Sequence, residues 1–322
     1  MNRPRLLHAG SMVIDHIYRI RALPLPGTEV TAESYRISPG GGFNLAVAAR
    51  RTGLPVAFVG VHGTGPNGDL LRAALAAEQI DILTAPVERL DSGVSTVLVT
   101  RDAERSFVSW PGAESLPDTS NIDAGPADWI FASGYTLSYP GSGESVVARI
   151  ERLAHKNPLV FDPAPVVRDI PSAILKRVLN TCSWLSCNTD EAAYITDGAP
   201  HPAKTLLDLH CPRAAGVVVR SGRHGCLVRM RDGSEQNVPA FNVEAVDTNG
   251  AGDAHIGTFI SSLAQGGHPF EAARFANAAA AIAVTRHGGP TAPTTDEIRQ
   301  FLLNAKITKK TSKPEQSMED MK

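Results

Sequence analysis

The sequence predicts an α/β fold in which a mostly parallel sheet is covered by helices on both faces. Short apolar runs alternate along the chain with longer stretches of helical periodicity, a pattern typical of strand–helix–strand units. These units connect parallel strands with one handedness, which places helices on both sides of the sheet. The predicted strands span residues 6–9, 56–61, 94–100, 106–110, 129–132, 159–161, 184–186, 217–219, 226–230 and 243–246. The predicted helices span residues 44–51, 69–79, 143–156, 172–179, 251–264 and 270–286.

Two segments lack the helices that accompany the other predicted strands. Residues 11–38 contain extended, polar-alternating stretches interrupted by Pro24, Pro26 and Gly27, and residues 94–110 have the pattern of a hairpin. In an α/β chain, strands without helices predict a small separate sheet that could cover a site.

The chain length by itself permits one large α/β domain or two smaller ones. Its 322 residues can bury a large core without disulfides or metals, and we expect a single domain over residues 1–305. Residues 306–322 have no apolar periodicity, which predicts a disordered tail. The N-terminal apolar run is interrupted by His8, Ser11 and Asp15, so it predicts neither a signal peptide nor a membrane span.

Charge and cysteine content restrict the partners and the compartment. The 31 basic and 33 acidic residues are spread along the chain, so no basic face predicts a nucleic-acid partner. The cysteines lack the spacing of a zinc site and are expected to be reduced core thiols of a cytoplasmic protein. These cysteines are Cys182, Cys187, Cys211 and Cys226.

The segment with the clearest chemical pattern is DTNGAGD, residues 247–253. A predicted strand precedes it and a predicted helix follows, so Gly250, Ala251 and Gly252 lie where the helix begins. The first N–H groups of a helix have no partner within it and carry the positive end of its dipole, and small side chains let an anion reach them. Asp253 in the first turn could accept a proton from an attacking hydroxyl. Taken alone, the same residues also fit a tight turn followed by an acid that the helix dipole favours.

Two separate motifs resemble those of a known family. DTNGAGD resembles one signature of the ribokinase-like, or PfkB, carbohydrate kinases, and GGGFNLA at residues 40–46 resembles the other, in the family's order. Residues 162–165, residues 188–191 and the AAAAIAVTRHGG stretch also resemble family landmarks, so the resemblance covers residues 5–303. It implies a three-layer α/β/α ribokinase-like fold whose lid is formed by the two helix-free segments. It also implies phosphorylation of a sugar hydroxyl by ATP with Mg²⁺.

The resemblance further implies the roles of individual residues. Asp253 matches the catalytic base, and Gly250, Ala251 and Gly252 match the anion hole. The residues implied to bind the sugar are Asp15, Gly41, Gly42, Asn44 and Tyr135. The residues implied to bind the nucleotide are Asn188, Arg220, Ser221, Gly222, Gly225 and Asn277.

The resemblance also implies two cation sites. Glu191 matches the acid that organises Mg²⁺ through water, and oxygen ligands with retained waters suit this ion. The segment around Asp247, Thr248 and residues 288–289 resembles a monovalent-cation loop, which would make K⁺ an activator. Without the family match, Asn188 to Glu191 would be interpreted as a helix cap followed by acids. The strand-and-turn pattern at residues 220–225 is likewise compatible with an ordinary turn.

Several residues depart from the pattern of ribose kinases. Val13 stands where those kinases carry an Asn, and residues 132–135 offer no carboxylate where they carry an acidic sugar contact. His255 replaces a common aromatic residue and Asn249 a common Thr. A site that recognises hydroxyls discriminates through its polar contacts. The two missing polar contacts, at Val13 and at residues 132–135, therefore predict that free ribose is disfavoured as a substrate.

Other functions remain open at this point. A nucleoside kinase of the same fold could stack a base on Tyr135, Phe43 or Trp110. A catalytically silent protein that binds a sugar or nucleotide is a second alternative, against which the intact Asp253 argues. A dehydrogenase is excluded because no G-x-G-x-x-G motif follows the first strand. The family resemblance further implies a homodimer formed through the lid sheets, whose edge strands lack partners.

Overall fold

The structure is a computed structural model that describes residues 3–102, 104–118, 120–288 and 290–311. Within these residues, the chain forms a nine-stranded sheet and a separate four-stranded sheet. The strands are β1 (Arg5–His8), β2 (Met12–Arg19), β3 (Ser34–Gly41), β4 (Val56–Phe58), β5 (Asp81–Ile82), β6 (Val94–Val99), β7 (Arg105–Trp110), β8 (Asp128–Ser133), β9 (Leu159–Asp162), β10 (Trp184–Asn188), β11 (Gly216–Arg220), β12 (Cys226–Met230) and β13 (Glu235–Val238). The helices are α1 (Phe43–Arg51), α2 (Pro66–Ala77), α3 (Gly134–Ser138), α4 (Gly143–Leu153), α5 (Ser172–Thr181), α6 (Thr189–Ile195), α7 (Pro202–Thr205), α8 (Ala251–Ala264), α9 (Pro269–Ala283) and α10 (Thr295–Thr311).

The large sheet is mostly parallel, as the alternation of strands and helices predicts. Its order is β13-β12-β11-β10-β9-β8-β1-β4-β5, and only the pairs of β12 with β11 and β13 are antiparallel among the described residues. Leu6 and Leu7 are adjacent in β1 and both fully buried, yet they belong to different core clusters. Successive side chains of a strand point to opposite faces, so both faces of the sheet are covered. The predicted three-layer α/β fold is therefore confirmed.

Different helices cover the two faces of this sheet. The core that contains Leu7 is completed by residues of α4 and α5, such as Val147 and Val178. The core that contains Leu6 is completed by residues of α1, α8 and α9, such as Leu45 and Phe259. The helix-free segments 11–38 and 94–110 supply the strands of the four-stranded sheet, with order β3-β2-β6-β7. The predicted separate small sheet is confirmed, and we call it the lid sheet.

The structure corrects one predicted strand and extends the last helix. Residues 243–246 form no strand, because the Val246 and Asp247 N–H groups donate to the Val284 carbonyl at 2.7 and 3.1 Å, at the end of α9. The edge of the sheet is formed instead by β13, which the sequence analysis missed. Helix α10 continues to Thr311, past the predicted domain end at residue 305. Residues 312–322 of the predicted tail lie outside the described residues.

Close packing of α1 against α8 brings two predicted motifs together. A Cβ at Gly257 in α8 would lie 2.3 Å from the Leu45 carbonyl oxygen, so this contact requires glycine. The start of α1 thereby reaches the start of α8, where the Asn44 amide nitrogen lies 3.3 Å from the position a Gly250 Cβ would take. The glycine-rich motif and the DTNGAGD motif are far apart in sequence and adjacent in space.

The described residues also test two predictions about the chain's environment. Each helix among them is too short or too polar to serve as a membrane span. All four cysteines are free and buried, as predicted for core thiols.

Candidate active site

Polar side chains gather where four neighbouring parallel strands end. Asp162, Asn188 and Arg220 are the last residues of β9, β10 and β11, and Tyr135 follows β8 in the first turn of α3. The carboxyl ends of parallel strands meet at one edge of a sheet, which is where α/β proteins bind ligands. The topology therefore collects these four side chains into one site.

Helix α8 adds Asp253 and an uncapped N-terminus to this edge. Gly250 precedes the helix with φ of 73°, a left-handed conformation that glycine adopts without steric cost. No side chain caps this end of α8. Gly250 thus precedes the helix, Ala251 and Gly252 begin it, and Asp253 lies in its first turn. The Ala251 N–H donates to the Thr248 carbonyl at 3.4 Å.

The site holds an excess of carboxylates. Burial raises the pKa of Asp253 to about 7, helped by the charge of Asp162 and opposed by that of Arg220. Burial also raises the pKa of Glu191 to about 7, again with a contribution from Asp162. Repulsion between carboxylates and loss of solvent both favour the protonated forms. An incoming cation would relieve this crowding.

Asp15 lies on the lid-sheet side of the site. Burial raises the pKa of its carboxyl to about 7, against the opposing charge of Arg36. The side chain lies directly over Gly40 of the paired strand, since a Cβ there would come within 2.2 Å of the Asp15 carboxylate. A hydrogen bond from Asn44 lowers the pKa of Asp253, and the charge of Asp15 raises it. The predicted sugar-binding residues Asp15 and Asn44 therefore do lie beside the predicted base.

Tyr135 faces the carboxylates from α3. Burial raises its pKa to about 12, and the charges of Asp253, Asp162, Glu191 and Asp15 raise it further in that order. A tyrosine held neutral in this way can donate a hydrogen bond to a bound polar group. The other two predicted sugar-site residues, Gly41 and Gly42, lie at the junction of β3 and α1, where the Gly42 N–H donates to the Ser11 carbonyl at 2.9 Å.

Asn188 and Glu191 form a helix cap as well as part of the site. The Glu191 N–H donates to the Asn188 side-chain oxygen at 2.8 Å, and Glu191 accepts from the Asn188 backbone N–H at 2.8 Å. This is the capping box that the alternative interpretation of the motif predicts. Glu191 also lies 3.6 Å from the Arg220 guanidinium, so the cap fixes the carboxylate at the strand ends.

The predicted nucleotide loop forms a tight turn between β11 and β12. The Ser221 N–H donates to the Gly225 carbonyl at 2.7 Å, and Gly222 and Gly225 both have positive φ. Asn277 is buried in α9, where its amide donates to the Val238 and Pro239 carbonyls at 2.9 and 3.1 Å. The amide N–H groups of Asn277 therefore tie α9 to the end of β13.

The segment predicted to hold K⁺ instead contacts two arginines of the lid sheet. Asp247 forms an ion pair with Arg105 of β7, and the Arg36 guanidinium of β3 lies 3.7 Å from its other oxygen. Arg105 also donates to the Thr248 hydroxyl at 3.4 Å. These contacts do not fit a K⁺ site, because guanidinium groups already neutralise the carboxylate. Gly289, the other end of the predicted loop, lies outside the described residues.

Other expectations from the sequence are altered by burial. Phe43 is 2% exposed in the core and cannot stack on a ligand, whereas Trp110 is 77% exposed on β7 and is not part of a lid core. His255 is buried, which lowers its pKa to about 3 and keeps it neutral beside the site. The sequence analysis named Asp162 only as a family landmark, although its place at the end of a buried strand could have identified it. No local signal marks Arg36 and Arg105, since the lid sheet brings them in from elsewhere.

The carboxylates also bear on the predicted Mg²⁺. Among the described residues, no three His, Cys, Asp or Glu side chains form a complete metal cluster. Mg²⁺ is commonly bound by one or two carboxylates together with substrate phosphates and waters, so a complete cluster is not required. Asp162 and Glu191, adjacent and rich in negative charge, fit an ion that arrives with phosphates.

Comparison with known proteins identifies the family of this chain. A model described as pfkB family carbohydrate kinase matches residues 4–296. YegV of Escherichia coli, described as an uncharacterized sugar kinase, is 32% identical over 303 residues, covering 92% of this chain and 93% of that protein. A ribokinase of Haemophilus influenzae is 31% identical over 317 residues, covering 94% of this chain and 100% of that protein.

A solved structure extends the agreement to the fold. The crystal structure of ribokinase from Thermotoga maritima matches with a TM-score of 0.79 and 25% identity, covering 93% of this chain and 99% of that one. The family match covers the site residues and both sheets and ends at residue 296, at the start of α10. The chain therefore belongs to the pfkB family of carbohydrate kinases.

Proposed function

We propose that this protein transfers the γ-phosphoryl group of ATP to a hydroxyl of a sugar or sugar derivative, with Asp253 as the base. The observation that supports this most is the position of Asp253. It lies in the first turn of α8, where Asn44 lies against Gly250 and Arg220 lies against Gly252, and the charges of Asp15 and Arg220 both act on its carboxyl. Carboxylate and amide groups such as Asp15 and Asn44 can bind hydroxyls, and the Arg220 guanidinium is suited to phosphates.

The reaction follows from this division. Asp15 and Asn44 hold hydroxyls of the acceptor, and Asp253 takes the proton of the hydroxyl as its oxygen attacks the γ-phosphorus. Amides at Gly250–Gly252 stabilise the charge that develops on the phosphoryl oxygens. Mg²⁺, when bound near Asp162 and Glu191, would neutralise the nucleotide phosphates. We expect the turn after β11 to hold the nucleotide.

The acceptor is expected to differ from free ribose. Val13 offers no hydrogen bond from β2, and the strand end at residues 132–135 presents Tyr135 rather than a carboxylate. A neutral phenol suits an acceptor with a different arrangement of hydroxyls, or one with an apolar substituent. A nucleoside acceptor is the second candidate, but Phe43 is buried and cannot contribute a stacking surface to it.

An ADP-release screen tests this function. Purified protein is incubated with Mg-ATP and a panel of hexoses, pentoses, ketoses, deoxy sugars and nucleosides, with Asp253→Asn as the control. A hit that the variant lacks supports the kinase and chooses between sugar and nucleoside. ATP binding without turnover on any member of a broad panel would instead favour the catalytically silent binding protein.

We expect activity without a requirement for K⁺. The Arg36 and Arg105 guanidiniums already neutralise Asp247, so replacing K⁺ by Na⁺ or tetramethylammonium should change turnover less than about twofold, which is under 0.5 kcal/mol. The measurement is the initial rate with Mg-ATP and the best acceptor at constant ionic strength. An increase of tenfold or more on adding K⁺ would contradict the assignment.

We also propose that two copies of the chain pair through their lid sheets in the cytoplasm. Strand β7 is an edge of the lid sheet and exposes Phe107, Val108 and Trp110, while β3 at the other edge exposes Tyr35 and Ile37. An unpaired edge with exposed apolar side chains is a surface that proteins cover. Analytical ultracentrifugation should give a dimer that Val108→Lys converts to a monomer. A monomeric native protein at micromolar concentration would contradict the proposal.

A further inference from the structure

The Arg220 guanidinium lies between two carboxylates and forms a short hydrogen bond with neither of them. Its guanidinium lies 3.4 Å from an Asp162 oxygen and 3.6 Å from a Glu191 oxygen, and it donates to the Ser186 hydroxyl at 3.2 Å. The side chain is 13% exposed. Burial disfavours the charged guanidinium, but the Asp162 and Glu191 charges outweigh this and raise the pKa of Arg220. Arg220 is therefore a buried cation.

Its contacts differ from those of two partly buried arginines elsewhere in the chain, Arg5 and Arg51. Arg5 donates to both oxygens of Asp128 at 3.3 and 2.8 Å, and Arg51 donates to both oxygens of Glu78 at 3.0 and 2.6 Å. A guanidinium that serves stability commonly makes such paired short bonds. Arg220 touches each of its two carboxylates through a single long contact, so its donors are incompletely used.

Arg220 also lies beside the anion hole. Its Cζ is 4.0 Å from the position that a Cβ on Gly252 would take, and its charge opposes the rise in the pKa of Asp253. A phosphoryl group held by the amides at the start of α8 would therefore lie within reach of the guanidinium. Planar guanidinium groups match the geometry of phosphoryl oxygens.

We propose that Arg220 is a catalytic residue that contacts the phosphoryl group during transfer, and that Asp162 is the residue that positions it. This inference rests on the proposed kinase function. In the transfer, the acceptor oxygen forms a bond to the γ-phosphorus while the bond to the β–γ bridging oxygen breaks. The electron pair of that bond leaves with the nucleoside diphosphate, and the hydroxyl proton passes to Asp253. Arg220 neutralises the charge on the oxygens of the phosphoryl group while it is being transferred.

The proposal is tested with Arg220→Ala and Arg220→Lys. Arg5→Ala is the matched control, because Arg5 is the first residue of β1 and lies at the amino-terminal end of the strands, away from the site. We expect Arg220→Ala to lower kcat by about 10³-fold while KM for ATP changes much less. Millimolar guanidinium should restore part of the activity of Arg220→Ala and have no such effect on Arg5→Ala. Arg220→Lys should retain more activity than Arg220→Ala, because it keeps the charge but loses the planar fork.

A positioning role for Asp162 makes a separate prediction. Asp162→Asn should lower kcat about tenfold, and its binding of ADP in the absence of Mg²⁺, measured by calorimetry, should stay close to that of the native protein. The Arg220 proposal is overturned if Arg220→Ala keeps its kcat and only raises KM for ATP. It is also overturned if guanidinium restores nothing and Asp162→Asn leaves kcat unchanged. Native protein that phosphorylates no acceptor would instead defeat the proposed function itself.

Discussion

Replacement of Asp253 by Asn is expected to lower turnover by about 10³-fold while leaving ATP affinity nearly unchanged. Asn has the same shape as Asp, so it preserves the start of α8 and the contact with Asn44. It cannot accept the proton of the attacking hydroxyl, and the reaction loses its base. The measurements are kcat from ADP release and the dissociation constant for ATP from calorimetry.

Asp296→Asn is the control for this substitution. Asp296 is also a first-turn acid, in α10, but its side chain is 93% exposed, so it lacks the surroundings of Asp253. We expect its kcat to equal that of the native protein. Turnover of Asp253→Asn within a few fold of native would reject the base assignment and favour a role for Asp253 in stabilising the helix start alone.

Activity and stability are expected to respond to pH in opposite directions. The pKa of Asp253 is raised to about 7, and a base must be ionised to act. We therefore expect kcat/KM to fall as pH decreases below about 7, approaching tenfold for each pH unit. The measurement is the pH dependence of kcat/KM for the acceptor at saturating Mg-ATP. A profile that is flat between pH 5 and 8 would contradict it.

The stability prediction has the reverse sign. Asp15, Glu191 and Asp253 have pKa values of about 7 in the folded protein, above their ordinary values near 4. The folded chain therefore binds more protons than the unfolded chain between these values. The stabilising contribution is complete below about pH 4 and is lost as pH rises through 7. Burial lowers the pKa of His8 to about 4 and that of His255 to about 3, so these side chains oppose the trend as pH falls below 6.5. Urea unfolding should therefore show a lower free energy of unfolding at pH 8 than at pH 6.5.

Asp253→Asn links the two responses. Removing one of the crowded carboxylates should raise the free energy of unfolding at pH 8 and reduce its dependence on pH. Active sites that hold like charges together commonly sacrifice stability for function in this way. Equal pH dependence of unfolding in the native and variant proteins would show that the crowding carries no energetic cost.

The arrangement of the large sheet follows from local sequence patterns. The apolar runs of β1 and β11 are buried on both faces of the sheet. The alternation of such runs with helical stretches can be recognised in the sequence alone. The predicted strand at residues 243–246 was wrong because apolar character alone does not provide a strand partner. Backbone groups of this segment bond to the end of α9, and only the folded chain shows that choice.

The candidate site divides in the same way. Asp253 and the small residues before it could be predicted, because a helix N-terminus is a local feature whose chemistry depends on adjacent residues. The neighbours of Arg220 could not be predicted from spacing, since Asp162 and Glu191 follow different strands. The distances between the strand ends decide whether Arg220 forms an ion pair, binds the nucleotide or takes part in catalysis.

By itself, the sequence determined the α/β fold, the small second sheet and the helix start that carries Asp253, since each depends on periodicity or on adjacent residues. Only the tertiary structure decided that Arg36 and Arg105 neutralise Asp247, that Phe43 lies in the core, and that carboxylates from the strand ends, α8 and the lid sheet gather in one site with Arg220. These facts depend on contacts between residues far apart in the chain. Burial and charge act through distance in space, which the order of residues does not specify.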